Sequence, residues 1–432
     1  MTLHRPVLRL FLALLLAAVP LHAEQVQFRR AVELALQHSG VMAMAAADQA
    51  RAYQGYMEAR NTFIPNLVLG SGLGYSYGYP MSIEGAAPTI FNVNTQSFLI
   101  NPAQRAFMKA AKIDWMASTT SKEDKRAQVI LDTALTWTEL DKVLSQIKLV
   151  QQQQEAANRQ SEIASQRVQA GVDSDVDLKK AQLAAARVRM RAAELSSTAD
   201  VLREHLAQLT GLPAADLDTD TESLPQLPAP PDDPNLAARV AKDSAIVRSA
   251  EQQADAKEER ARGEHKQLWP ALDFAGSYGM FAKFNNYQDF FLKFQRNNFT
   301  IGAGIRFPVF NFAQKAHAAA ADADALSARK QAQAVRDQIS TDTMKLQGAV
   351  RQLAAARDVA KLEYDLAKAD TAATNVKAQS GDANPKDQQT AQINEIGRYE
   401  AYIDANFEYV KAQLTLLKHA GDIASWAGFP KQ

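Results

Sequence analysis

One stretch limits what this chain can become: Ala103 to Ala170, 68 residues without a glycine or a proline. With no breaker, the pattern predicts one helix, roughly 100 Å long at a rise of 1.5 Å per residue. Ordinary globular helices run three or four turns. The run stops at Gly171, turns through Val172-Asp173-Ser174-Asp175, and returns as a second breaker-free run to Thr210. A helical hairpin of this length cannot bury itself in a compact domain and needs neighbours along its whole length.

The chain is written twice, and the copies supply those neighbours. Asn101-Pro102-Ala103-Gln104-Arg105-Ala106 recurs as Asn311-Phe312-Ala313-Gln314-Lys315-Ala316, and Arg167-Val168-Gln169-Ala170-Gly171 recurs as Lys377-Ala378-Gln379-Ser380-Gly381. Ala181-Gln182 matches Ala391-Gln392, and Gly211 matches Gly421, all at an offset of 210. Upstream, Ser39, Pro65 and Leu67 match Ser244, Pro270 and Leu272 at an offset of 205. A constant offset across the hairpins makes them equal in length, as staves of one wall would be.

Residues 1–23 read as a secretory signal peptide. Arg5 and Arg9 precede a ten-residue apolar run, Leu10 to Val19, and Leu21-His22-Ala23 fits the cleavage site. Its removal leaves 46 basic and 48 acidic side chains, a net charge of −2. That balance excludes a nucleic-acid partner, whose phosphates would demand a basic face. Cysteine is absent, so neither disulfides nor a lipidated cysteine is available. No later segment offers 18 consecutive apolar residues, which rules out transmembrane helices.

The predicted organisation follows. Residues 24–211 form a first structural repeat: a helix from about Phe28 to Arg60, strands at 66–79 and 90–100, and the helical hairpin 103–210. Residues 212–234 form a linker with five prolines between Leu224 and Pro234. Residues 235–421 repeat the order: a helix Asn235 to Lys266, strands at 271–281 and 298–307, and a hairpin 311–420. A tail, 422–432, ends the chain.

The strands alternate with period two. Leu67, Leu69, Leu73, Tyr75 and Tyr77 alternate with Asn66, Val68, Gly70, Gly72 and Gly74; Phe274 and Tyr278 alternate with Asp273, Ala275 and Ser277. Phe299, Ile301 and Ile305 alternate with Asn298, Thr300 and Gly304, while Phe98 and Ile100 blur the polar side of the second strand. Ten-residue alternation of this kind matches strands of an outer-membrane barrel facing lipid on one side. Tyr75, Tyr77, Tyr79, Tyr287, Phe290 and Phe291 stand where an aromatic girdle would lie. The competing reading is two half-buried hairpins of a soluble sheet. Four strands cannot close a barrel, and lipid forbids an open edge, so copies must combine. Two, three or four copies would give eight, twelve or sixteen strands.

The return helix carries an apolar heptad seam through Leu178, Ala181, Ala185, Val188, Ala192, Leu195, Ala199, Leu202, Leu206 and Leu209. The outgoing helix carries Val143, Ile147, Val150, Gln154, Ala157, Ser161, Ala164 and Val168, side chains that shrink toward the turn. Smaller knobs bring helices closer, so the wall narrows toward that end.

Duplicated helix–strand–strand–helix–helix units, the Phe307-Pro308-Val309-Phe310-Asn311 passage, and the [Arg/Lys]-x-Gln-small-Gly turn together resemble the TolC-like outer-membrane efflux channels. The resemblance covers nearly all of the chain after the signal peptide. It implies a mixed α and β membrane protein, a homotrimer whose twelve-strand barrel in the lipid of the outer membrane continues as a twelve-helix α-barrel in the periplasm. It implies a passive exit duct for drugs or other small molecules. It also implies two partners, a periplasmic adaptor (membrane fusion) protein and an inner-membrane pump of RND, ABC or MFS type. Two alternatives stand beside it: the channel of a type I protein secretion system, and a periplasmic adaptor or structural protein built on helical hairpins.

Ser174-x-x-Asp177 and Asn384-Pro385-Lys386-Asp387 occupy matching positions and read as helix N-caps. Repeated by symmetry, Asp177 and Asp387, with Asp173 and Asp175, would ring a narrow passage, draw cations and raise some carboxylate pKa values. Similar channels constrict at acidic residues just after the second tip turn. Asp387 falls on the first such position; Thr390 falls on the second, a departure. By the same analogy the tips Gln169, Ala170, Gly171 and Val172, with Gln379, Ser380 and Gly381, are the adaptor contacts. The seven histidines show no metal-ligand spacing, and there is no phosphate loop or nucleophile elbow. No catalytic, cofactor or metal site is predicted, and the chain is not expected to be an enzyme.

Overall fold

A computed structural model describes residues 27–71, 89–219, 223–231, 233–281, 297–380, 382 and 384–430. The expected signal peptide, the expected girdle residues, Leu73 and Gly381 lie outside the described residues.

The first repeat contains α1 (Phe28–His38), α2 (Gly40–Asn61), β1 (Asn66–Gly70), β2 (Thr89–Ile100), α3 (Pro102–Gln169) and α4 (Asp175–Thr210). The second contains α5 (Leu236–Asp243), α6 (Ala245–Lys266), β3 (Ala271–Phe281), β4 (Asn297–Arg306), α7 (Phe312–Gln379) and α8 (Pro385–Ala420), followed by the short α9 (Ile423–Trp426). Both outgoing helices have 68 residues and both return helices have 36. Equal length, expected from the constant offset, is therefore realised to the residue.

The single helix expected from Phe28 to Arg60 is two helices. Ser39 takes an extended conformation (φ −64°, ψ 133°) between α1 and α2, and its hydroxyl accepts from the Met42 amide at 3.2 Å. The second repeat breaks at the matching Ser244 (φ −61°, ψ 134°), dividing the helix expected over Asn235–Lys266. Serine competes for local backbone hydrogen bonds and ends the helix at both positions, with Gly40 following the first and Ala245 the second.

Contacts gather the chain into two compact units, each drawing on both repeats. One comprises Met44–Asp124 and Ala241–Ile339; the other comprises residues up to Ala43, Lys125–Val240 and residues from Ser340 onward.

In the first unit the sheet order is β1-β2-β3-β4, antiparallel throughout. Its helices follow the order α2·α3·α6·α7. Tyr53 and Tyr56 of α2 pack on Trp115 of α3. Lys109 of α3 meets Glu259 of α6 at 2.6 Å, and Arg329 of α7 reaches Asp255 and Glu258 of α6 at 2.9 and 2.5 Å. The duplication survives in single bonds: Gln104 donates its side-chain amide to the Ala59 carbonyl at 3.1 Å, and Gln314 donates to the Glu264 carbonyl at 2.9 Å.

In the second unit the core gathers Phe28, Trp137, Leu140, Val150, Leu206 and Leu414, all nearly inaccessible. The C-terminal tail joins it: Ile423 is fully buried, and Trp426 packs against Phe28 at 5.4 Å. The heptad seams of α3 and α4 are buried or half-buried at every expected position. The proline-rich linker accepts from Gln413 at Pro228 and from Gln347 at Asp233, on α8 and α7.

Candidate functional site

The sheet sorts its side chains as alternation requires. Register pairs Leu67 with Thr95, Leu69 with Val93, Val93 with Tyr278, Ser97 with Phe274, Tyr278 with Phe299 and Leu272 with Ile305. The expected lipid-facing residues that are described, Leu67, Leu69, Phe274, Tyr278, Phe299, Ile301 and Ile305, thus share one face. Leu67 and Ile305 are 67% and 64% exposed there. The opposite face carries Asn94, Gln96, Ser277 and Thr300, with Arg306 paired to Asp273 at 2.5 Å. A register shift between Phe98 and Ile100 explains the blurred pattern of β2: the extra residue sets Ile100 opposite Leu272 on the apolar face and leaves Phe98 opposite Asp273 on the polar one.

The hairpin tips are capped as the spacing demands. Gly171 adopts φ +71°, and the Val172 amide donates back to the Arg167 carbonyl at 2.9 Å, the six-to-one bond of a Schellman turn. At the second tip the Asp382 amide makes the same bond to Lys377 at 2.8 Å. Ser174 accepts from the Asp177 amide and donates its hydroxyl to the Asp177 carboxylate at 2.6 Å. Asn384 and Asp387 close a full capping box, with bonds of 2.9 and 3.2 Å.

Within one chain the first tip holds two of its carboxylates low. Arg167 grips Asp173 with two bonds, 2.7 and 3.0 Å, which holds Asp173 below the usual carboxylate range. The Ser174 hydroxyl, helped by Lys180, does the same for Asp177. Asp175 faces Lys179 at 3.4 Å. Raising these groups needs carboxylates from neighbouring copies, which one chain does not supply. Gln169, Ala170, Gly171, Val172, Gln379, Ser380, Asp387 and Thr390 are all exposed.

Two features escaped the sequence reading. The first is a polar layer between the hairpins of the second unit: Asp404 of α8 meets Lys142 at 3.4 Å and Gln146 at 3.1 Å, both on α3. One turn earlier, burial pushes the Glu400 carboxyl up, opposed by Arg191 of α4 and reinforced by Asp404. With α3 packed on α4 and Arg398 of α8 bonded to Glu363 of α7 at 2.7 Å, the helix order is α4·α3·α8·α7.

The second feature stands at the two ends of that order. Beside its buried seam, α7 carries another track in alternating steps of three and four: Val359, Leu362, Leu366, Ala369, Ala373 and Val376, all exposed. On α4 the exposed residues Leu183, Ala186, Met190, Ala193 and Ser197 repeat the same spacing, preceded by Val176. Searching each helix for a second heptad track would have found both.

The chain's first repeat matches the family model described as outer membrane efflux protein over residues 31–212. TolC of Escherichia coli (strain K12) is 28% identical over 168 residues, 38% of this chain and 34% of TolC; the chain therefore aligns with about a third of that relative's length. Solved structures extend the likeness to the whole fold. The outer membrane protein VceC of Vibrio cholerae superposes with a TM-score of 0.73 at 18% identity, over 91% of this chain and 96% of VceC. The outer membrane channel CmeC of Campylobacter jejuni gives 0.76 at 14% identity, over 94% and 86%. The open state of the outer membrane channel MtrE of Neisseria gonorrhoeae gives 0.73 at 17% identity, over 92% and 89%. In fold throughout, and in sequence over its first repeat, this chain resembles the TolC-like outer-membrane efflux channels.

Proposed function

We propose that three copies of this chain close into an outer-membrane efflux duct, with the sheets forming a twelve-strand barrel in lipid and the helices a wall in the periplasm. The matched pair of uncovered seams carries this reading. In water, two exposed apolar heptad tracks on α4 and α7 are a liability unless a partner covers them. They stand at opposite ends of one helix order, so a head-to-tail contact between copies uses both and closes on itself. The sheet has the same property. Among the described residues, β1 and β4 each pair on one side only, and lipid tolerates no such edge.

The duct is passive, and its cargo is small molecules handed over by an inner-membrane pump through a periplasmic adaptor. The adaptor docks on the hairpin tips, where Val172 and Val176 stand exposed beside Gln169 and Ala170. Asp387, Asp177, Asp175 and Asp173, with Thr390, form the periplasmic gate. Purified protein tests the reading: it requires detergent, has the mass of three chains, and conducts ions in planar bilayers. Extraction in plain buffer as a single chain without conductance would favour a soluble hairpin protein instead.

A further inference from the structure

Between α2 and α3, one or two turns from the end of β2, lies an open groove of about 530 Å³. Its lining is Tyr56, Phe63, Arg105, Met108, Lys109 and Lys112. Lys109 is committed to Glu259, but no described carboxylate lies within ion-pair distance of Arg105 or Lys112. Phe63 packs against Phe98 at 6.4 Å, and Phe98 belongs to the polar face of the sheet, opposite Asp273. Phe63, which forms part of the groove's lining, thus adjoins the sheet's polar face through Phe98.

The duplication provides an internal control. A groove required by architecture alone would keep its chemistry in both repeats. At offsets of 205 and 210 the equivalents are Ala261, Leu268, Lys315, Ala318, Ala319 and Asp322. Both aromatic rings are gone, three cations have become one, and Asp322 is paired with His265 at 2.9 Å. The same backbone is kept, as the Gln104–Ala59 and Gln314–Glu264 bonds show. What differs is the chemistry, two ring faces beside unpaired cations.

Resting on the duct reading, we propose that this groove is a contact site for anionic aromatic solutes in transit, held by Arg105 and Lys112 on the acid group and by Tyr56 and Phe63 on the ring. Planar guanidinium and ammonium groups bind carboxylate, sulfonate or phosphate with charge-assisted hydrogen bonds, and the rings cover the apolar body.

The test uses the purified full-length assembly in nanodiscs and naphthalene-1,5-disulfonate as probe. Quenching of Trp115 is the readout, because Trp115 lies behind the site, 5.1 and 6.1 Å from the Tyr53 and Tyr56 rings; Trp115→Phe assigns the signal. Saturable quenching is expected, weakened about tenfold or more in the double variant Arg105→Gln/Lys112→Gln, a loss of about 1.4 kcal/mol or more. A cationic naphthylmethylammonium probe should bind that variant no less tightly than wild type, which separates lost charge from lost fold. Equal affinity of the disulfonate for both proteins overturns the proposal, as does equal loss for both probes. Binding abolished whenever phosphatidylglycerol is added to phosphatidylcholine nanodiscs assigns the groove to lipid headgroups and overturns the solute. Mass and conductance of the wild type report on the duct separately, so a conducting assembly without quenching sinks only the groove.

Discussion

The ring of Phe107, on α3, lies where a Cβ on Gly263 of α6 would have to stand. Gly263 is buried in the last turn of a charged helix, and its missing side chain lets the two helices meet ring against backbone. Alanine there would add about 1 kcal/mol of helix propensity, but overpacking costs about 1–3 kcal/mol. Gly263→Ala is therefore expected to lower the thermal midpoint of the detergent-solubilised protein. Phe107→Leu in the same chain should recover part of the loss. A raised midpoint for Gly263→Ala alone would show that the ring has room to move.

Leu362 and Leu366 are 69% and 72% exposed on one chain. Glutamate at both positions leaves the protomer's own core untouched, because surface changes usually shift stability by about 0.5 kcal/mol or less. If the track is a seam between copies, the double variant buries two unpaired charges at each interface and the assembly falls apart. Light scattering on detergent-purified protein should move from the mass of three chains to one. An unchanged mass would mean this track faces solvent in the assembly.

How much of this was legible in the sequence varied with the kind of contact. Equal staves followed from a constant offset, because an insertion in either hairpin would have shifted Gly211 against Gly421. The sheet's two faces followed from alternation, and even the blur at Phe98 and Ile100 was present as a defect in the pattern before the bulge explained it. The break at Ser244 was not legible, since it is followed by alanine and no strong breaker marks it, whereas Ser39 is followed by Gly40, a breaker that a helix interior can also tolerate. Nor was the role of α6. Its Asp255, Glu258, Glu259 and Arg260 look like a solvated face in one dimension, and only tertiary structure reveals partners on α3 and α7. At the first tip, a side-chain clasp from Arg167 on Asp173 and the Ser174 cap on Asp177 pull both carboxylates toward the ionised form within each chain, contacts that residue spacing alone did not indicate.

Asp387 completes a capping box and also stands at the tip of the second hairpin. Asp387→Ala should cost about 1 kcal/mol through the lost cap. On the proposed duct reading it should also lower the cation preference, because one carboxylate would leave the ring from each copy. Reversal potentials across a salt gradient measure the second effect independently of the first. Asp387→Asn, which removes the charge but leaves a side-chain acceptor for the Asn384 amide, should match alanine in selectivity. If reversal potentials stay at the wild-type value in both, Asp387 is a cap and nothing more.

Glu400 supplies a pH dependence whose sign follows from its surroundings. Burial favours the neutral carboxyl, Arg191 opposes, and Asp404 adds to the rise, so the folded-state pKa stands above the ordinary 4.5. The folded chain therefore holds this proton more tightly than the unfolded chain does. Its contribution is full below the unfolded value and is lost as pH rises through the folded one. Between those limits the wild type should lose thermal stability with rising pH relative to Glu400→Gln, whose amide mimics the neutral acid. Melting curves of the two proteins from pH 4 to pH 8 should diverge upward in pH, with glutamine the more stable at the alkaline end. Parallel curves would mean that Arg191 closes on Glu400 in the assembled wall and holds it charged.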